Sequence, residues 1–365
     1  LEGVLKLGDD YSQAGDWRNA QIVYQTAAWE ILRNYETVHE EESELVDIVN
    51  RCVENLKPCL AAASDPTERE VILRGLFDVY RWDVDYGGIT VGEEVPGIIL
   101  ELATHEEKEL ISEWLQEAMP AGGTWSGDYH RQIFGGFLLD LKWDDLDDES
   151  FLEICRKTGR LQDLVARLLA LHRIDEAVTQ ARAASDNDLL RLAELFEAEN
   201  HGELVEELIR DRSKASQERR LVEWLKQWAI KKGNIPEGLR LAEQLFWASS
   251  SIAGYKEIKS LAQQLGHWEE MRPQLMNRLE RGRQFSFLTE IHLLEDEIDA
   301  ALKTLRHSSG GPGGWGGSLL SIRIAKAAEK GRPHEAITLY VEAADRIIKA
   351  RDRKSYAQAV GYLGR

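Results

Sequence analysis

The spacing of small and apolar residues between Val4 and Ala27 constrains the fold more than any other stretch of the chain. Leu7 and Tyr11 lie one helical turn apart, and after a short polar break a second set follows at intervals of four and three residues, Ala20, Tyr24 and Ala27. Each set fits one face of an α-helix. The small residues at positions 8 and 20 would let the two helices approach closely. Because one such hairpin cannot bury its apolar face alone, the pattern predicts a stack of hairpins.

Residues typical of tight turns recur along the chain at a similar distance. If Gly15 marks the turn of the first hairpin, the equivalent positions are Asn200, Gly233, Gly266, Glu295 and Gly331. The intervals from Asn200 onward are 33, 33, 29 and 36 residues. The last interval contains the glycine-rich run Ser308–Ser318, which we predict to be a flexible excursion. Its Trp315 either docks on the stack or anchors a partner.

The first hairpin resembles the tetratricopeptide (TPR) repeat, whose period is about 34 residues. It departs from that pattern at Val4, where tryptophan is usual, and at Leu32, where proline is usual. The last hairpin restores the spacing of the first through Ala336, Tyr340 and Ala343. The resemblance implies an all-α fold, an α-solenoid of TPR-like antiparallel helix hairpins.

Three stretches of different character are predicted. They are a TPR-like hairpin at 1–32, an irregular acidic helical region at 33–146, and a TPR-like array at 147–365 with a glycine-rich loop at 308–318. In the middle stretch, apolar periodicity predicts helices over Thr37–Ser64, Pro66–Trp82, Pro96–Leu102, Glu106–Met119 and Gly127–Leu141. The segment Arg81–Gly97, rich in glycine and acidic residues, is predicted to be a loop.

Acidic and basic side chains are unevenly distributed. Residues 1–158 hold 34 acidic and 13 basic side chains, a net charge of −21, whereas residues 159–365 hold 30 and 32, a net charge of +2. The acidic part should repel nucleic acid and anionic membranes. No apolar run reaches membrane-spanning length and no signal peptide is visible. We therefore predict no membrane partner and no direct nucleic-acid binding by this segment.

Two acidic segments invite a ligand interpretation beside a structural one. The loop Arg81–Gly97 could be a linker, a phosphate cradle or a cation site, but it lacks a Gly-Lys-Ser/Thr ending, a preceding strand and the EF-hand alternation. The run Asp144–Glu149 could bind a metal or cap a helix. We favour a linker in the first case. In the second, we favour Asp147 or Asp148 as the cap of a helix over Glu149–Lys157.

Residue patterns that would indicate catalysis are missing from the sequence. No paired histidine motif, nucleophile elbow or Cys/His signature is present. Cys52, Cys59 and Cys155 have no metal-type spacing, so buried free thiols in a reducing cytoplasm are expected. We predict that the chain is not an enzyme and holds no cofactor and no metal.

Several segments resemble the helical region that follows the zinc finger in bacterial SWIM zinc-finger family proteins. They are "FLLDL", "LDDESFLEICRKTGRLQDLV", "HRIDEAV", "WRNA" and "DVDYGG", and the similarity covers most of the chain. The defining Cys-x-Cys and Cys-x-His pairs of that family are missing, so zinc binding does not carry over. The resemblance implies a helical-repeat module with no assigned catalysis. Because the chain starts at Leu1 inside a repeat and stops inside a new helix, we expect it to be part of a larger protein.

The predicted function is a non-catalytic scaffold that binds a protein or peptide on the concave face of the stack. First-helix positions line that face in TPR arrays, and most of the equivalent residues are polar here. Counted from the turn residues, the predicted partner-binding side chains are Asp9, Gln13, Glu223, Gln227, Lys231, Lys256, Gln263 and His292. Leu5 and Thr289 fall at equivalent positions. Such a face would suit an extended chain read by hydrogen bonds and charge.

Two other functions remain open. The segment could be the scaffold of a nucleic-acid-associated regulator whose DNA-binding element lies elsewhere, in which case the isolated segment would show no salt-dependent DNA binding. It could also be a metal-dependent enzyme that uses the acidic first half. Stoichiometric metal at Asp83, Asp85 or the run Asp144–Glu149 would favour that alternative.

Overall fold

The computed structural model describes residues 2–37, 42–120, 124–216, 218–308, 315–349 and 360–362. Within these ranges the regular structure is α-helical, with one 3-10 turn at Tyr35–Thr37 and no strand. The helices are α1 Glu2–Gln13, α2 Trp17–Arg33, α3 Glu42–Ala62, α4 Pro66–Tyr86, α5 Val95–Leu102, α6 His105–Ala118, α7 Trp125–Leu141, α8 Asp148–Thr158, α9 Leu161–Ala170, α10 Ile174–Ala183, α11 Asp186–Ala198, α12 Gly202–Ser216, α13 Arg219–Lys231, α14 Ile235–Ala248, α15 Ile252–Gln264, α16 Trp268–Arg281, α17 Phe285–Leu294, α18 Ile298–Ser308, α19 Trp315–Ala328 and α20 Pro333–Lys349. The predicted all-α solenoid of helix hairpins is confirmed.

The chain divides into two compact units. The first unit comprises residues 1–184 with 194–201, and the second comprises residues 185–193 with 202–365. In the first unit, α2 packs against both α1 and α3, and α9 packs against α10. In the second unit, the closest pairs are α13 with α14, α17 with α18, and α19 with α20. The division into three stretches made from composition stays a prediction.

The first hairpin forms largely as the spacing predicts. A Cβ atom on Gly8 would lie 2.6 Å from the ring of Tyr24, so a side chain larger than hydrogen would separate α1 from α2. Ala20 is fully buried beside it. The side chain of Asp16 caps α2 by accepting the backbone N–H of Asn19. The close helix approach predicted at positions 8 and 20 is therefore confirmed.

Leu7, predicted to lie on the buried apolar face of the hairpin, is exposed in the structure. Leu7 is 48% exposed, and Val4 on the same side of α1 is 46% exposed. The residues of α1 that are buried are Leu5 and Gly8. The contact with α2 is thus centred about one third of a helix turn away from Leu7, which leaves Leu7 at the edge of the hairpin.

Most hairpin turns share one backbone geometry. A residue with φ between 55° and 75° ends the helix, at Gly15, Gly159, His172, Asn200, Gly233, Gly266, Arg283 and Asp296. The residue after each donates its backbone N–H to the carbonyl five residues earlier, over 2.7 to 3.0 Å. This is the Schellman motif, which satisfies the last carbonyls of a helix. The predicted turn residues Gly15, Asn200, Gly233 and Gly266 are confirmed.

The last two predicted turn residues lie in their turns but do not share this geometry. The left-handed residue is Asp296, not Glu295. Gly331 has no left-handed φ, and Arg332 donates instead to the carbonyl of Ala328, four residues earlier. The α19–α20 turn therefore does not need glycine.

This difference between turns predicts unequal effects of alanine. Gly233→Ala should lower the free energy of unfolding by about 1 kcal/mol, because an alanine side chain is strained at positive φ. Gly331→Ala is the matched control, since neither glycine has a described heavy atom within 4 Å of an added Cβ. It should leave stability unchanged or raise it. Chemical denaturation of the three proteins measures both effects, and equal losses would contradict the turn assignment.

The middle helices follow the prediction with shifts at their ends. The structure places α5, α6 and α7 within two residues of the predicted bounds, which confirms them. Thr37 lies in the 3-10 turn and α3 begins at Glu42, so the helix predicted from Thr37 is too long. Residues 38–41, near the start of that predicted helix, lie outside the described residues.

The loop predicted over Arg81–Gly97 is shorter than expected, because α4 continues to Tyr86. Trp82 and Tyr86 stack with ring centroids 4.8 Å apart, and Tyr35 packs edge-on against both rings. These aromatic contacts hold the last turn of α4 in place. Packing between distant residues thus extends the helix into a segment whose composition predicts a loop.

The remaining loop is fixed by side chains of the protein itself. Asp83 accepts the backbone N–H groups of Ile89 and Val91 at 2.9 and 3.0 Å. Asn50 accepts the N–H of Gly92 and donates to the carbonyl of Thr90. Backbone donors that a phosphate would need are therefore already bonded. These contacts support the structural interpretation of the loop.

The acidic run before α8 caps that helix. Asp147 accepts the backbone N–H of Ser150 at 2.7 Å, as one of the two predicted caps requires. The N–H bonds lower the pKa of this carboxyl, which therefore stays ionised at the positive helix end. The capping interpretation is confirmed with Asp147 as the cap.

The prediction for the three cysteines is confirmed. Cys52, Cys59 and Cys155 are buried free thiols, as predicted. Burial raises the pKa of the Cys52 thiol to about 12, so it stays protonated and unreactive at neutral pH.

The glycine-rich excursion predicted to reach Ser318 ends earlier, because α19 begins at Trp315. Its residues 309–314 and the side chain of Trp315 lie outside the described residues. Across the described helices, none is long and apolar enough to cross a membrane.

Candidate partner-binding site

In the second unit, the first helices of successive hairpins, α13, α15, α17 and α19, are joined by ion pairs. Each pair links one first helix, or the turn that ends it, to the next first helix. The pairs are Lys226–Glu257 at 2.7 Å, Lys259–Glu295 at 2.6 Å and Arg323–Glu290 at 3.9 Å. An ion pair at these distances requires neighbouring helices, so the outward residues of these helices share one surface. We call this surface the first-helix face.

Lys226 forms the most buried of these links. Its side chain is 4% exposed and its ammonium lies 2.5 Å from Glu223 and 2.7 Å from Glu257. Burial opposes ionisation of Glu223, but hydrogen bonds from Lys226 and Gln227 outweigh it and lower the pKa of that carboxyl. A buried charge with two partners fixes the register of α13 against α15.

A second polar cluster lies where α17 ends. Glu295 is 11% exposed in its side chain and accepts hydrogen bonds from Tyr255, Lys259 and Arg272, at 2.8, 2.6 and 2.8 Å. Arg272 also reaches Glu297, at 2.7 Å. Burial would raise the pKa of Glu295, but the three donors outweigh it and lower that pKa. The cluster joins α15 and α16 to the α17–α18 turn.

Five of the predicted partner-binding residues lie on α13 and α15. Gln227, Lys231, Lys256 and Gln263 are exposed, and Glu223 is half-buried. Gln227 donates to Glu223 at 3.3 Å, and the ammonium of Lys231 lies 5.5 Å from the centroid of the Trp228 ring. Their spacing of four and seven residues puts the side chains of each helix on one side of that helix.

His292 is placed differently. Its Nδ1 lies 2.6 Å from Glu297, and its side chain is 14% exposed. Thr289, predicted beside it, is fully buried and bonded to Thr304. The cause is the one-residue error in the turn, since counting from Asp296 moves the outward positions of α17 to Ser286, Glu290 and Leu293. A residue-specific role for His292 on this face stays a prediction, and its contact with Glu297 is structural.

The remaining predicted residues belong to the first unit. Asp9 accepts the Tyr24 hydroxyl at 2.7 Å and pairs with Arg51 at 2.7 Å. Gln13 is exposed at the end of α1. Leu5, at an equivalent position, is 1% exposed and cannot contact a partner. Asp9 therefore has a structural role in joining α1, α2 and α3.

A surface that the sequence did not predict lies in the first unit. Five exposed apolar side chains gather along α2 and the helices beside it, Val4, Leu7, Ile22, Trp29 and Val71. Two grooves that share Ile22 and Thr26 flank them. The sequence signal was present at Val4 and Leu7, but the hairpin pattern assigned such positions to the core. We call this region the α2 surface.

Within the described parts of the chain, no three His, Cys, Asp or Glu side chains are gathered as a metal ion would require. Asp85, a candidate cation ligand, faces Arg81 at 3.5 Å and His130 at 3.5 Å. In the acidic run, Asp145, Asp148 and Glu149 pair with His105, Arg167 and Arg173.

Comparison with known proteins gives the fold little additional support. No protein-family model matches the chain, and no curated protein matches its sequence. A circular tandem repeat protein with novel repeat topology and enhanced subunit contact surfaces shares 15% identity, over 100% of this chain and 74% of that chain, with a TM-score of 0.18. The APC/C hetero-tetramer Cut9-Hcn1 shares 13% identity, over 98% and 74%, with a TM-score of 0.25. These TM-scores are too low to support an argument, so the fold rests on the helices described above.

Proposed function

We propose that the chain is a non-catalytic helical-repeat scaffold whose first-helix face binds a protein or peptide partner. The observation that carries the proposal is the side-by-side arrangement of α13, α15, α17 and α19, joined by ion pairs that range from largely buried to exposed. The proposal is supported by the exposure of Gln227, Lys256 and Gln263 on two of these helices.

The chemistry of this face favours an extended segment as the partner. Its outward side chains are amides, a hydroxyl and charges of both signs, and an extended segment offers backbone N–H and C=O groups in need of partners. A folded apolar surface would gain little from such contacts. Alternating sign along the face, from Glu223 to Lys256 to Glu290, would set the direction in which the segment binds.

The test is a comparison of two triple variants. Gln227→Ala, Lys256→Ala and Gln263→Ala together remove the central polar groups of the first-helix face. Loss of three hydrogen bonds, at about 1 kcal/mol each, should weaken partner binding by at least about tenfold. Partners retained by the wild-type protein are identified by mass spectrometry, and the binding of each is then measured by titration calorimetry.

The matched control changes the same residue types on second helices. Gln244→Ala, Gln274→Ala and Lys303→Ala remove exposed side chains from α14, α16 and α18. This control should bind like the wild-type protein. Equal loss in both variants, or equal binding by both, would remove the first-helix face as the site.

Finer parts of the proposal have narrower support. The association with a SWIM-type zinc finger and a bacterial setting rest on the sequence resemblance alone. A reducing, cytoplasmic location is supported by the three buried, unpaired thiols. The predicted roles of Asp9, Gln13 and His292 in partner binding remain part of the proposal only as secondary contacts, because Asp9 and His292 already bond within the chain.

A further inference from the structure

We propose that the α2 surface of the first unit docks an amphipathic α-helix of a partner protein, with a basic polar face. This site is separate from the first-helix face of the second unit and does not depend on it. The proposal starts from the groove beside α2, a concavity of about 540 Å³. It is lined by Val4 and Leu7 of α1, by Leu45 of α3, and along α2 by Ile22, Val23, Thr26, Ala27, Glu30, Ile31 and Asn34.

The core of the first hairpin is closed without the side chains of the α2 surface. Val4, Leu7, Ile22, Trp29 and Val71 are each between 46% and 50% exposed, while the hairpin core beneath them is closed by Leu5, Tyr24 and Ala28, each 1% exposed. Clustered exposed apolar side chains of this kind mark interaction surfaces more often than isolated ones do. Burying these side chains against a partner would contribute hydrophobic free energy to the complex.

The dimensions of the groove match a short helix. The lining residues of α2 run from Ile22 to Asn34, which at the helical rise of 1.5 Å per residue is about 18 Å, or a little over three turns. Side chains at i, i+3, i+4 and i+7 of a docked helix would meet this length of groove. A second groove, of about 370 Å³, lies across Ile22 and Thr26 and extends the contact to Val71 of α4.

The chemistry of the lining selects a helix over an extended chain. Most of the lining is apolar, and its polar groups Thr26, Glu30 and Asn34 lie along one edge of α2. An extended segment would bury backbone N–H and C=O groups against apolar carbon, which costs free energy. A helix satisfies those groups internally and presents only its side chains.

Charge selects a basic polar face for that helix. Among the described residues that line the two grooves, the charged ones are Glu30 and Asp78, which also face Arg33 at 3.9 Å and Arg74 at 3.2 Å. The first 158 residues as a whole carry a net charge of −21. Lysine or arginine side chains beside the apolar stripe would therefore be drawn toward the rim and accelerate association.

The experiment titrates a synthetic helix into the full chain. The probe is a peptide of about 14 residues, four helical turns, with leucine at the i, i+3, i+4 and i+7 positions and lysine elsewhere. Two control peptides have the same composition in scrambled order, or glutamate in place of lysine. Binding is measured by titration calorimetry at physiological ionic strength. The patterned basic peptide should bind at least about tenfold tighter than either control.

Protein variants locate the binding. Ile22→Lys replaces a half-exposed side chain shared by both grooves, so the fold should be retained while peptide affinity falls at least about tenfold. Leu294→Lys changes a similarly exposed side chain, 42% exposed, in the second unit and serves as the control. The triple variant of Gln227, Lys256 and Gln263 should bind the peptide like the wild-type protein, which separates this site from the first-helix face.

Several outcomes would overturn the proposal. Equal affinity for patterned and scrambled peptides would show that the peptide binds by electrostatic attraction and does not dock in the groove. Unchanged affinity of the Ile22→Lys variant would place the peptide elsewhere. If light scattering shows a dimer that becomes monomeric in the Ile22→Lys variant, a second copy of the chain covers the surface and the partner helix is rejected.

Discussion

Glu295→Ala is expected to lower the free energy of unfolding by about 3 kcal/mol, since removing the shared carboxylate leaves Lys259 and the Tyr255 hydroxyl without their acceptor. Glu295 is the shared acceptor of Tyr255, Lys259 and Arg272. Tyr255 is fully buried, so its hydroxyl would lose its acceptor away from water. Denaturant unfolding measures the loss directly.

Two comparisons test whether the loss is specific to Glu295. Glu290→Ala, on the helix that Glu295 follows, removes a carboxylate that meets Arg323 at 3.9 Å with 60% of the arginine side chain exposed, so its cost should be below about 0.5 kcal/mol. In a Tyr255→Phe background the cost of Glu295→Ala should shrink, because one of the lost contacts is already absent. Similar losses for Glu290 and Glu295 would contradict the cluster's role.

The Glu295 carboxyl also determines how the free energy of unfolding should change with pH. The pKa of Glu295 is lowered in the folded protein from an ordinary value of 4.5. A lowered folded pKa stabilises the protein above the unfolded pKa, and this stabilisation is lost as pH falls below it. The difference in unfolding free energy between wild type and Glu295→Gln should therefore narrow as pH is lowered below about 4.5.

Gly202→Ala should lower the free energy of unfolding by about 2 kcal/mol through overpacking. An added Cβ would lie 2.3 Å from Trp228, and the ring cannot readily move. Its indole N–H donates to Glu206 at 2.7 Å, and the ring stacks on Trp224 with centroids 5.4 Å apart. The first turn of α12 must therefore shift away from α13.

The control for this substitution is Gly3→Ala, at a helical glycine with no described heavy atom within 4 Å of the added Cβ. It should be neutral or stabilising, since alanine favours the helix over glycine. Thermal unfolding followed by circular dichroism compares the two variants. A Gly202→Ala protein as stable as wild type would show that α12 and α13 do not approach as closely as described.

The hairpin pattern was readable from sequence where the turn residue is glycine. Gly15, Gly233 and Gly266 adopt the left-handed conformation for which glycine has no steric cost. At Asp296 and Arg283 the same conformation is adopted by residues that carry no such signal. The resulting one-residue error on α17 is what placed Thr289 instead of Glu290 on the outward side.

Features set by distant contacts could not be predicted. The last turn of α4 depends on Tyr35, which lies far from it in sequence. The exposure of Leu7 depends on which side of α1 meets α2, and helical spacing alone fits either choice within a third of a turn. Local patterns therefore predicted the elements, and packing decided which apolar residues face solvent.

The links between neighbouring first helices also determine how the second unit should respond to ionic strength. In a repeat stack, stability is approximately a sum of hairpin terms and nearest-neighbour interface terms. Lys226–Glu257 is shielded by burial of the lysine, so dissolved salt screens it little. Arg323–Glu290 and Arg332–Asp299, which hold the α19–α20 hairpin, are exposed and strongly screened. Added salt should therefore weaken the α19–α20 hairpin first and the hairpins before it later. The number of ordered hairpins in the second unit would then depend on ionic strength, without any change in sequence.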